Sequence, residues 1–120
     1  MNSEQLTVRE VDGARVLTVR GEHDLYTAPP LREGIGELLD EGVPVIVDLT
    51  PATFIDSSIL GVLLGGLRRA RESGGFFSLE LGDDAEPTVR RIFEVTGLLS
   101  VFPIDASSAE AVARSRGAGG

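Results

Sequence analysis

Asp56, Ser57 and Ser58 stand side by side, directly ahead of Leu60, Leu63, Leu64 and Leu67. Those leucine spacings of three and four are the helical period. Asp and Ser in front of such a run are helix N-caps. Two hydroxyls and a carboxylate therefore lie where helical N–H groups lack partners and the local field favours an anion. By residue type alone, any of the three can be the cap. A serine nucleophile would also need a base, and the only histidine, His23, lies in a different stretch. Ser57-Ser58-Ile59-Leu60-Gly61 is neither a phosphate-binding P-loop nor a Gly-x-Ser-x-Gly elbow. Catalysis by Ser57 is not expected.

The second polar group is Gly21-Glu22-His23-Asp24-Leu25. Glu22, His23 and Asp24 have metal-ligand chemistry, but adjacent residues of an extended segment point in opposite directions and converge poorly. With no second histidine and no cysteine, the usual ligand sets are not available and no metal site is expected. Taken alone, Asp24 is a solvated acid that initiates a turn.

These residues need elements to hold them. Leu6–Val11 alternates as a first strand, Asp12-Gly13 is a tight-hairpin dipeptide, and Val16–Val19 is a second strand, giving an antiparallel pair. Thr27 is placed to cap a first helix, with Pro29 and Pro30 in its first turn and Leu31, Ile35, Leu38 and Leu39 as its apolar stripe. Val43–Leu49 is a nearly continuous apolar strand, the pattern of a central parallel strand covered on both faces. A turn at Thr50-Pro51 leads to a long helix over Ser57–Ser73. Leu60, Leu64 and Leu67 are expected on the sheet. Ile59, Val62 and Gly66 form a neighbouring stripe, which either packs under another helix or is exposed to a partner. Beyond Gly74-Gly75 come a strand at Phe76–Leu81, a helix opening at Pro87 with Arg90 and Arg91 pointing away, a short edge strand at Val101–Ile104, and a last helix capped by Asp105 or Ser107. This alternation indicates an α/β fold with a mostly parallel sheet and right-handed crossovers.

The chain has 120 residues, a net charge of −8, no cysteine, and arginine but no lysine. Its length fits one domain. The negative charge makes nucleic acid a poor partner, since that affinity comes mainly from cationic side chains. No apolar run approaches the ~18 residues of a membrane span, and Met1–Gln5 does not open a signal peptide, so neither membrane association nor export is expected. The absence of cysteine fits a cytoplasmic protein.

The stretch Asp48-Leu49, Phe54 to Ser58 and Leu60 to Leu64 resembles the signature of STAS-domain anti-sigma factor antagonists. In that family a strand ending in Asp-Leu leads to Phe-(Ile/Met)-Asp-Ser-Ser-Gly-Leu-Gly-Val-Leu-Leu. Ile59 stands at the family's glycine. Gly21-Glu22-His23-Asp24 matches the family's Gly-Glu-(Leu/Ile)-Asp, and Gly97-Leu98 its helix-closing Gly-Leu. The resemblance implies a STAS-type fold of about five strands and about four helices, with residues 1–114 as one domain and residues 115–120 as a disordered tail. It also implies a regulatory module that is not an enzyme. The unphosphorylated form would capture an anti-sigma factor serine kinase and release a sigma factor. Phosphorylation of Ser57 would end capture, and a phosphatase would reset it. ATP would be bound only by the kinase, with no cofactor on this chain. Asp24, Asp56, Ser58, Ile59 and Val62 are the expected partner-binding residues, and Asp24, Ser57, Ile59 and Val62 are expected to share one exposed patch. The alternative is a STAS regulatory subunit of a transporter or of a larger signalling assembly.

Overall fold

Two neighbouring parallel strands run through the middle of the molecule, bend, and continue as a second, smaller ladder. The computed structural model describes residues 5–118. Strand β1 (Leu6–Val11) pairs antiparallel with β2 (Ala14–Val19) across Asp12 and Gly13. Both turn residues have positive φ, 49° and 87°, as a two-residue hairpin turn matched to strand twist requires. At Gly21, left-handed at φ +78°, the chain resumes as β3 (Gly21–His23). Helix α1 (Ala28–Asp40) then returns it to β4 (Val45–Asp48), parallel to β2.

After Thr50-Pro51 the chain extends again as β5 (Ala52–Ile55), parallel to β3, with His23 opposite Ile55. Helix α2 (Ser57–Ser73) has the bounds the leucine spacing gives. Then come β6 (Phe77–Glu80), α3 (Pro87–Val95), a 3-10 turn at Leu98–Ser100, β7 (Ile104–Asp105) and α4 (Ser108–Ala118). The main sheet runs β1-β2-β4-β6-β7 and β3-β5 form their own ladder. The expected five-stranded, mostly parallel sheet with an antiparallel opening pair and four helices is present. The β3-β5 ladder is an addition to it.

On one face of the sheet, Leu17, Val47 and Leu79 pack with Leu31 and Ile35 of α1, Ile59, Leu63 and Leu67 of α2, and Phe93 of α3. Each such side chain contributes ~1.5–3 kcal/mol on burial. Helices α1 and α2 meet closely at Gly66, where an added Cβ would lie 2.9 Å from the Phe77 ring and 3.0 Å from Ile35. That approach draws Ile59, Val62 and Gly66 under α1 and leaves Leu64 only half-buried at the core margin. Leu63, not Leu64, is central. On the other face α4 covers Ala14, Val16 and Ile46 with Ala111 and Val112.

Three local expectations are corrected. Residues 115–118 continue α4, where Ser115 is buried and donates to the Val112 carbonyl at 2.6 Å, and Arg114 pairs with Asp105. The final part of the expected tail, residues 119–120, lies outside the described residues. Arg90 does not point away; it donates to the carbonyls of Leu81 and Gly82, both at 3.3 Å. Thr27 holds the cap position of α1 but makes no side-chain cap bond.

Candidate functional site

The β3-β5 ladder sets two chain ends side by side at one rim of the sheet. His23 pairs with Ile55, so Asp24 and Asp56 leave adjacent strands together. Asp56 has extended backbone and is the N-cap of α2. Its Oδ1 accepts the Ser58 and Ile59 N–H groups at 3.0 and 3.2 Å and the Ser58 hydroxyl at 2.5 Å. The Ser58 hydroxyl bond holds the Asp56 carboxyl below its ordinary value of 3.8; the N–H groups of Ile59, Ser58 and Leu25 act in the same direction, against partial desolvation.

These bonds settle which of the three polar residues does what. Asp56 is the cap and Ser58 is its hydrogen-bond partner. Ser57, at the first helical position, is exposed. Its hydroxyl has no hydrogen bond among the described residues. It sits on open surface: a cleft of about 420 Å³ lies farther along α2 against Val101, and Ser57 does not line it.

Asp24 is half-buried and accepts the Tyr26 N–H at 2.9 Å, an Asx turn that raises Leu25 and Tyr26 off the surface. These two are 66% and 87% exposed, and Phe54 of β5 is 48% exposed. The apolar part of this rim is therefore Leu25, Tyr26 and Phe54. Ile59 and Val62 are 0% and 4% exposed, so the patch expected from Asp24, Ser57, Ile59 and Val62 is corrected: the last two belong to the core because α1 covers their side of α2. The missed residues carried a sequence signal. Leu25 and Tyr26 fall between a turn-forming Asp and a Thr-Ala-Pro-Pro helix start, where no regular element can turn them inward.

Glu22, His23 and Asp24 do not converge. Glu22 is exposed while His23 is 1% exposed. The His23 ring nitrogens face the Arg20 carbonyl at 2.8 Å and the Thr27 hydroxyl at 3.1 Å. No group of three or more metal-ligating side chains occurs among the described residues. The site has an exposed hydroxyl at a helix N-terminus, beside the capping Asp56, and exposed apolar side chains at Leu25, Tyr26 and Phe54.

The STAS domain model matches residues 5–111. The chain belongs to the STAS domain family. This STAS domain is 35% identical over 92 residues to the anti-sigma-B factor antagonist of Bacillus subtilis, covering 77% of this chain and 82% of that protein. Among solved structures it is similar to an anti-sigma factor antagonist from Mycobacterium paratuberculosis, with TM-score 0.79 and 28% identity over 97% and 99% of the two chains. It is also similar to SpoIIAA, an anti-sigma factor antagonist solved both without and with phosphate. The TM-score is 0.68 for both forms. Identity is 26% to the unphosphorylated form, over 93% of this chain and 98% of that one, and 27% to the phosphorylated Bacillus form, over 91% and 97%. The relatives are regulators, and no helix among the described residues is long and apolar enough to cross a membrane.

Proposed function

We propose that this STAS domain is a cytoplasmic anti-sigma factor antagonist, not an enzyme, switched by phosphorylation of Ser57. In its unphosphorylated form it binds an anti-sigma factor serine kinase through the rim around Ser57, and a sigma factor is released. The kinase, using its own bound ATP, phosphorylates Ser57 and capture ends; a phosphatase restores the serine. One observation carries this reading. Asp56 and Ser58 satisfy each other and the helix end, which leaves Ser57 exposed and unbonded.

The energetics place the switch in the interface rather than in the fold. A phosphate adds about −1.5 to −2 charges. The helix N-terminus favours it by ~0.3–1 kcal/mol. Asp56 opposes it, by an upper figure of ~4 kcal/mol for unit charges ~4 Å apart at an effective dielectric of ~20. Ser57 is open to water, so these local terms are screened and partly cancel. A partner closing over Leu25, Tyr26 and Phe54 must instead desolvate the dianion. Losing ~3–4 kcal/mol of binding there weakens capture several-hundred-fold.

The test is incubation with anti-sigma factor kinases and ATP, followed by mass spectrometry of the Ser57 peptide. Ser57→Ala is expected to bind the kinase and stay unmodified. Ser57→Asp is expected to fold normally and bind poorly. Stoichiometric phosphorylation of Ser57→Ala, or wild-type binding by Ser57→Asp, removes the switch from Ser57.

A further inference from the structure

Among the described residues His23 is the one buried titratable side chain at the rim, and neither the helix cap nor the phosphorylatable hydroxyl uses it. Its hydrogen bonds define a direction. The Arg20 carbonyl oxygen, 2.8 Å from Nε2, only accepts, so Nε2 carries a proton. In the neutral ring Nδ1 is then an acceptor, 3.1 Å from the Thr27 hydroxyl. That hydroxyl accepts the Asp24 N–H at 2.9 Å, and its single proton faces two acceptors, His23 Nδ1 and the Asp24 carbonyl at 3.2 Å. The Asp24 carbonyl already accepts the Thr27 and Ala28 N–H groups at 3.0 and 2.9 Å. Among the described residues Nδ1 has no other donor, and a buried acceptor left unpaired is costly. The hydroxyl proton therefore goes to His23. The resulting chain runs from Asp24 N–H to Thr27 Oγ1, from Thr27 Oγ1–H to His23 Nδ1, and from His23 Nε2–H to the Arg20 carbonyl.

This chain spans the base of the Asp24–Thr27 turn. It draws Thr27 inward, which is why Thr27 makes no side-chain bond to its own helix. On its outer side the turn carries the Tyr26 N–H on the Asp24 carboxylate at 2.9 Å. The turn is thus fixed from below by a side-chain relay and from above by its own Asx bond, and Leu25 and Tyr26 stand out from it.

We propose that His23 is a positioning residue: through the Thr27 hydroxyl it pre-orders the Asp24–Thr27 turn, so that Leu25 and Tyr26 are presented beside Ser57 as a preformed docking ridge. The part played in partner capture rests on the function proposed above; the ordering of the turn does not. Preordering a loop in its bound form removes the ordering cost from association. The two links of the ring are separable. His23→Asn keeps an acceptor for the Thr27 hydroxyl and loses the donor to Arg20. His23→Gln keeps a donor for Arg20 and loses the acceptor at Thr27. Thr27→Val removes the relay and leaves the imidazole in place.

Amide hydrogen exchange on the full chain reads the turn at Leu25 and Tyr26, whose N–H groups bond to neither substituted side chain, and reads the global fold at β4. Thr27→Val and His23→Gln are expected to speed Leu25 and Tyr26 exchange about fivefold relative to β4, the population change one net hydrogen bond supports. His23→Asn is expected to keep their protection even where β4 exchange shows a loss of global stability. With an anti-sigma factor kinase and ATP, Thr27→Val and His23→Gln should raise KM for this protein about fivefold at unchanged kcat. Turn protection that falls only in step with β4, or equally in His23→Asn and His23→Gln, would make His23 a core filler and overturn the proposal. A KM unchanged despite faster turn exchange overturns it as well. If wild-type protein is phosphorylated by no kinase, the function proposed above fails, while the exchange comparison still decides whether His23 orders the turn.

Discussion

Leu17, Val47 and Leu79, on neighbouring strands, point into the layer formed by α1, α2 and α3, whereas Val16, Ile46 and Ser78, one residue away on each strand, point at α4. The first face is continuously apolar and is closed by Phe93 and Phe102, ring edge to face at 5.8 Å. The second is apolar only toward the hairpin end. In the next inward-facing row, Thr18, Asp48, Glu80 and Asp105 lie in register across four strands. Helix α4 is held there by directed bonds: the Ser108 hydroxyl to Glu80, Arg9 to that hydroxyl at 2.9 Å, and Arg114 to Asp105. Apolar burial is non-directional and scales with area, whereas polar anchors depend on geometry and protonation. The fold should therefore rest on the first face, while the second tunes how firmly α4 is docked.

The sharpest way to break this comparison is Ile59→Arg. Ile59 has no exposed surface, so the guanidinium would be an uncompensated buried charge and should cost roughly 3–5 kcal/mol. A urea midpoint near wild type would place Ile59 outside the core. Next is Leu63→Ala, at the centre of the same face, with an expected loss of ~2–5 kcal/mol; a smaller effect than that of Leu64→Ala would reverse the packing described for α2. On the second face, Val112→Ala should cost only about 1–2 kcal/mol at ~0.8 kcal/mol per buried methylene. Amide exchange should then show α4 opening before β4. Simultaneous opening would mean that the two faces are one cooperative unit.

The fourth prediction concerns pH. Burial raises the Glu80 carboxyl above its ordinary 4.5; Asp48 and Asp105 push the same way, and the Ser108 bond and Arg9 oppose them. A carboxyl raised in the folded chain contributes stability below its unfolded pKa and loses it as pH rises through the folded value. Stability should therefore decline upward from about pH 4.5, and Glu80→Gln should remove that decline. The expected gain in Tm is about 1–3 °C at pH 8 and close to zero at pH 4. An equal gain at both pH values would assign the effect to packing. The smallest effect is Ser78→Ala. The Ser78 hydroxyl is buried and, among the described residues, without a hydrogen-bond partner, so its removal should be neutral or stabilising by up to about 1 kcal/mol. A clear loss in a thermal melt would reveal a bond through solvent.

Much of this was legible in the chain itself. The period of Leu60, Leu63, Leu64 and Leu67, the polar triplet before them and Gly74 after them place α2 in the chain, because periodicity, capping and a left-handed stop are local. Asp12-Gly13 determines the hairpin, and the apolar run at Val45–Val47 a strand buried on both sides. Three things waited for the tertiary structure. Thr50-Pro51 reads as a plain turn, and only the partner strand turns residues 52–55 and 21–23 into a ladder, since a parallel pairing leaves no trace in either segment. Whether Ile59 and Val62 meet solvent or protein depended on how closely the neighbouring elements pack on α2, as Ile35 of α1 and Phe77 of β6 do at Gly66. Which member of Asp56-Ser57-Ser58 would be left free was decided by rotamers and hydrogen bonds at a folded helix end, where composition offers three equivalent candidates and geometry leaves Ser57.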